Sequence, residues 1–113
     1  MTENHCIVLC TAPDPATAEA LARAMVEARL AACVNVLPGI RSIYRWQGAL
    51  QSDSEALLIL KTRQDRFGAL AAALREQHPY ELPEIIAVPV SDGLSAYLAW
   101  IDHNTDPTPE TSV

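Results

Sequence analysis

Glycine is scarce in this sequence: four residues in 113, none close to another. A loop that cradles phosphates at a helix N-terminus needs several glycines together, so a nucleotide loop of that kind is excluded. The chain also lacks a Gly-x-Ser-x-Gly elbow and a histidine pair at metalloprotease spacing. Lys61 ends an apolar strand, and Glu81 and Glu84 stand on either side of Pro83. Charges in such places are far more often solvated or paired than catalytic. No enzyme is expected.

Basic residues are the minority, eight Lys and Arg against fourteen Asp and Glu, for a formal net charge of −6. They are scattered rather than clustered, so phosphate backbones and anionic membrane surfaces are both disfavoured partners. No apolar run approaches the ~20 residues that cross a bilayer. No Lys or Arg precedes the short apolar segment after Met1-Thr2-Glu3-Asn4-His5, which does not suit a secretory signal. A cytoplasmic location is the expectation.

Cysteine is sparse and odd in number: Cys6, Cys10 and Cys33. An odd count suits a reducing compartment. In a strand, Cys6 and Cys10 share a face but lie about 13 Å apart, at ~3.3 Å per residue. A disulfide needs Cα atoms within roughly 7 Å. The two can neither bridge nor share one ion.

What is abundant is apolar surface, half of all residues. A chain of this length makes one domain with a real core. Cys6 to Cys10 is a continuous apolar run, the mark of a strand buried on both faces. Asp14 offers an N-cap and Pro15 a first helical position. Ala18, Leu21, Ala22, Met25 and Val26 then mark a helix over about Pro15 to Leu30.

Cys33 to Leu37 reads as a strand, stopped or bent by Pro38-Gly39. It resumes over Ser42 to Trp46, turns at Gln47-Gly48, and returns as a strand from Glu55 to Thr62. A second helix follows, capped by Asp65, with Phe67, Leu70, Ala71 and Leu74 on one face; Pro79 ends it. The last strand is Ile85 to Val90, with Pro89 at an edge or a bulge. A short helix, Ser95 to His103, closes a domain over 1–104. The polar, Pro-rich 105–113 reads as a flexible tail.

The order β-α-β-β-α-β with a terminal helix predicts an α+β, ferredoxin-like fold, with an antiparallel sheet and helices one and two on one face. Connectivity brings Cys10, at the end of strand one, to the same pole as Gln77 and His78, at the end of helix two. The hairpin tip with Tyr44 and Trp46 lies on that side as well. A thiol with an imidazole suits copper or zinc better than magnesium or calcium, although two ligands do not complete a tetrahedral zinc site. The plainer reading is structural, since free Cys is usually a buried small hydrophobe. Cys6 and Cys33 read as core filling, and His5 and His103 as surface residues.

Several segments together carry a family resemblance: Cys10-Thr11-Ala12-Pro13-Asp14, Leu30-Ala31-Ala32-Cys33-Val34-Asn35, and Pro38 with Ser42, Tyr44, Trp46 and Gly48. Glu55, Lys61-Thr62, His78-Pro79-Tyr80-Glu81-Leu82-Pro83-Glu84-Ile85, and Gly93 through Trp100 continue the pattern. In their order and spacing the chain resembles the CutA family, the divalent-cation tolerance proteins, from about Val8 to Ile101.

The resemblance implies a ferredoxin-like subunit in a tight homotrimer joined at its sheet edges, and a link to divalent-cation tolerance. Copper binding is ascribed to enteric members, through the Cys of the first segment and two consecutive His before Pro-Tyr. Carried over, the candidate copper ligands are Cys10 and His78; Gln77 replaces the first His, and an amide is a poor copper ligand. The leading expectation is thus a trimer that binds copper, or a related soft cation, weakly. The alternative is a regulatory module whose inter-subunit clefts hold a small anionic metabolite or a protein. Tyr44, Trp46, Lys61, Tyr80, Glu81 and Glu84 are its candidate lining. A third reading is a purely structural assembly element.

Overall fold

Alternate burial along the first strand sets the architecture. In β1 (His5–Ala12), Cys6, Val8 and Cys10 are buried while Ile7 and Leu9 are half-buried, the period-two pattern of a pleated strand. The computed structural model describes residues 4–107.

Helix α1 (Pro15–Glu27) begins as expected: the Asp14 carboxylate accepts from the Thr17 N–H at 2.7 Å, with Pro15 leading. Its end differs. The helix stops at Glu27 rather than Leu30, because Arg29 takes φ 60°. The Arg29 N–H bonds to Val26 O at 3.0 Å and the Leu30 N–H to Met25 O at 2.9 Å. This is a Schellman closure with arginine where glycine is usual. The Arg29 guanidinium donates to the carbonyls of His103 and Asp106 at 2.6 and 2.7 Å. One side chain therefore joins two helix ends.

Strands β2 (Cys33–Trp46) and β3 (Ala49–Arg63) make a longer hairpin than expected. Pro38-Gly39 bends β2 without stopping it: the register shifts between Leu37 and Ile40, with Gly39 at φ 74°. At the tip, Gln47 and Gly48 have φ of 50° and 81°. That two-residue turn matches strand twist, so pairing runs on to Ala49. Asp65 does not cap α2 (Phe67–Gln77); a 3-10 turn over Gln64–Arg66 intervenes, and Asp65 accepts from Arg63 at 3.0 Å. β4 (Ile85–Pro89) and α3 (Ser95–Asn104) complete the chain.

The sheet is antiparallel throughout, in the order β2-β3-β1-β4, and the ferredoxin-like arrangement is confirmed. Pro89 ends an edge strand, where its missing N–H costs no ladder bond. Register sets Val8 beside Leu60 and Ala87, and Cys10 beside Leu58 and Ile85. These side chains join Ala18, Leu21, Met25, Leu70 and Leu74 of the helices in one core. Ile7, Leu9, Ile59, Ile86 and Val88 point to the opposite face.

Helix α3 lies at one end of that second face. His5 donates to the Asp102 carboxylate at 2.8 Å, and the Tyr97 hydroxyl meets the Cys33 thiol. His5 is therefore no surface residue: its side chain is only 12 % exposed. His103 is exposed. Cys33 is half-buried beside Lys61 rather than in the core. Thr105, expected to begin the tail, is fully buried and donates to Ile101 O at 2.7 Å. The rest of that expected tail, 108–113, lies outside the described residues.

Candidate functional site

Two chain ends meet where connectivity places them. β1 delivers Cys10 and Thr11, and α2 ends before His78, whose ψ of 139° is the extended geometry that Pro79 imposes. His78 Nε2 donates to the Thr11 carbonyl oxygen at 2.7 Å, and the Cys10 thiol lies 3.7 Å from the same oxygen. On the other side of the ring, Nδ1 accepts the Tyr80 N–H at 3.1 Å.

That arrangement decides what the pair can do. An imidazole binds a metal through a free ring lone pair, and a thiol binds as thiolate. The His78 lone pair is taken by Tyr80. Cys10 is fully buried, and burial first, then the carboxylates of Glu84 and Glu55, push its thiol up to about 12. Gln77 is exposed. Among the described residues no three His, Cys, Asp or Glu side chains converge as metal ligands. As folded, Cys10 and His78 do not fit a copper ion.

Beside this pair the chain forms a groove of about 860 Å³. The extended hairpin supplies Tyr44 and Trp46, and the segment after α2 supplies Tyr80, Glu81 and Glu84. Five of the six residues expected to line a cleft therefore meet in one place. Lys61 does not join them. Its ammonium is held by the Asn35 amide oxygen and lies 3.9 Å from the Cys33 sulfur.

Thr11 and Glu55 also line the groove and were not foreseen as lining. Glu55 is 7 % exposed and accepts from the Tyr80 hydroxyl at 2.6 Å. Burial, with this carboxylate beside it, raises the Tyr80 phenol well above its ordinary range. Tyr44 donates to the Asp53 carboxylate in the same way. The one available signal for Glu55 was a charge at the mouth of the apolar run Ala56 to Leu60.

Comparison with known proteins decides the family. Residues 6–104 match the family described as CutA1 divalent ion tolerance protein. The chain belongs to the CutA1 family. It is 48% identical over 96 residues to the divalent-cation tolerance protein CutA of Pectobacterium atrosepticum, covering 85% of this chain and 87% of that one. The solved divalent cation tolerance protein of Thermus thermophilus superposes with a TM-score of 0.88 at 46% identity, covering 90% of this chain and 99% of that one. CutA1 from Oryza sativa gives 0.90 at 39% identity, over 95% and 98%. The family match spans both the Cys10–His78 pair and the groove.

Proposed function

We propose that this CutA1-family chain acts by assembly and binding rather than by catalysis, as a cytoplasmic homotrimer linked to divalent-cation tolerance. One observation carries the assembly. Large apolar side chains lie open to water: Ile43 and Leu50 on the hairpin arm are 67% and 72% exposed, and Ile86 and Val88 on β4 are 52% and 48% exposed. Among the described residues both sheet edges, β2 and β4, are unpaired, and open apolar edges are what soluble proteins cover. An arm laid along β4 of a second copy uses each edge once, and such a heterologous contact closes into a ring when the rotation between copies returns on itself. The three free thiols agree with a reducing compartment.

The test substitutes both sides of that contact. Leu50→Asp and Val88→Asp should each lower the assembled mass seen by light scattering. Unchanged mass in both variants would overturn the assignment.

The part played in cation tolerance needs no resident ion at Cys10 and His78, since neither side chain offers a free donor. Calorimetric titration with Cu(I) and Cu(II) should give the same curve for wild type, Cys10→Ser and His78→Ala. Binding lost in the variants would restore the pair as ligands.

The groove favours a second reading, a regulatory module. Aromatic rings and carboxylates gathered around one cavity, completed by a neighbouring copy, suit a small metabolite or a protein segment.

A further inference from the structure

The two open edges of the sheet carry opposite charge. Strand β2 contains Arg41 and Arg45 and no Asp or Glu. The segment 81–89, which ends with β4, contains Glu81 and Glu84 and no Lys, Arg or His. All four side chains are exposed. Among the described residues Arg45, Glu81 and Glu84 make no ion pair, and Arg41 reaches only the Ser52 hydroxyl, at 3.5 Å.

Neighbouring elements do not cancel these charges. Opposite Arg41 and Arg45 in the ladder stand Ser54 and Leu50. The carboxylates of the same hairpin, Asp53 and Glu55, accept from the phenols of Tyr44 and Tyr80. Beside β4, helix α2 offers Arg75 and Glu76, one of each sign.

Charged side chains on an edge strand commonly keep other strands away. One sign on each edge makes that repulsion selective. β2 against β2 brings arginine to arginine, and β4 against β4 brings glutamate to glutamate. β2 against β4 joins unlike charges. Contacts in which a surface meets its own copy are the commonest in homo-oligomers, and here both such edge pairings are opposed. The whole chain is acidic, at −6, so copies repel one another in general. β2 is the local exception.

We infer that the opposed charges of the two edges select the head-to-tail contact between copies: Arg41 and Arg45 of one chain meet Glu81 and Glu84 of the next. This deepens the assembly reading and rests on it. Ile43 and Leu50, with Ile86 and Val88, supply the apolar surface to be buried. The charges decide which edge goes with which. Exposed ion pairs add little affinity, whereas like charges pressed together suppress a wrong pairing.

The experiment reverses each edge on the full chain. Arg41→Glu with Arg45→Glu, Glu81→Lys with Glu84→Lys, and all four substitutions together are compared with wild type. Ionic strength is fixed and low, where screening is weakest. Light scattering gives the mass, and dilution gives the concentration at which assembly is lost.

Each two-residue reversal should raise that concentration about tenfold or more. The four-residue variant, which restores unlike charges, should recover most of the loss. Recovery also rules out misfolding as the cause, since that variant carries every substitution. Equal dissociation of wild type and both two-residue reversals overturns the inference. So does a four-residue variant as weak as the others. A wild-type mass of one chain removes the assembly reading and the inference with it. An assembled wild type indifferent to reversal keeps that reading and removes the inference alone.

Discussion

The Thr11 carbonyl oxygen and His78 Nε2 stand 2.7 Å apart, joining the end of β1 to the residue after α2. His78 is 8 % exposed and also accepts the Tyr80 N–H, so one ring satisfies two backbone groups near the groove. In this chain the histidine serves as a bracket for the groove wall. His78→Ala should cost about 1–3 kcal/mol, because Thr11 O and the Tyr80 N–H lose their partners. His78→Phe should cost a similar amount, since it fills the space without bonding. Urea denaturation midpoints check both.

A second prediction concerns Arg29, held at φ 60°. Glycine takes that geometry without strain, whereas alanine, like arginine, takes it at a cost. Both substitutions lose the bonds to His103 O and Asp106 O. Arg29→Ala should therefore be the less stable of the two by about 1 kcal/mol, read from thermal unfolding of the pair side by side.

Burial separates neighbours on α1. Met25 is fully buried against the sheet, while Val26 is 42% exposed. Met25→Ala should cost about 2–5 kcal/mol through lost contacts and the cavity left behind. Val26→Ala should stay within roughly 0.5 kcal/mol. Equal losses in chemical denaturation would contradict the placement of the core.

Alkali should expose the buried thiol. Below pH 9.0, its ordinary value, Cys10 is protonated in both folded and unfolded chains and changes nothing. Above that the unfolded chain releases the proton while the folded chain keeps it up to about 12. Stability should fall as pH rises through this window. Tyr80, raised from 10.0, adds to the fall in the same direction. Melting temperatures from pH 8 to 11 should decline less steeply for Cys10→Ala than for wild type.

How legible was this in the sequence? The element order and the meeting of Cys10 with His78 followed from hydrophobic periodicity, proline positions and connectivity. Those signals are local, or follow from handedness. The end of α1 was not legible, because an arginine took the left-handed position and bonds to the carbonyls of His103, in α3, and Asp106, just beyond it. The length of β3 was missed for another reason: Gln51-Ser52-Asp53-Ser54 is polar, and it becomes strand only by pairing with Arg41 to Tyr44 across the foreseen turn. For Lys61 and Glu55 the outcome depended on which strand face each occupied, and the partners, Asn35 and Tyr80, are distant in the chain. His5 looked isolated because Asp102 is 97 residues away.

The central claim is that the exposed arm and the edge strand are surfaces for further copies of the chain. Molar mass at low micromolar concentration, by light scattering coupled to size-exclusion chromatography, addresses it directly. The account predicts a species three times the 12.3 kDa of one chain. A mass equal to one chain would contradict it.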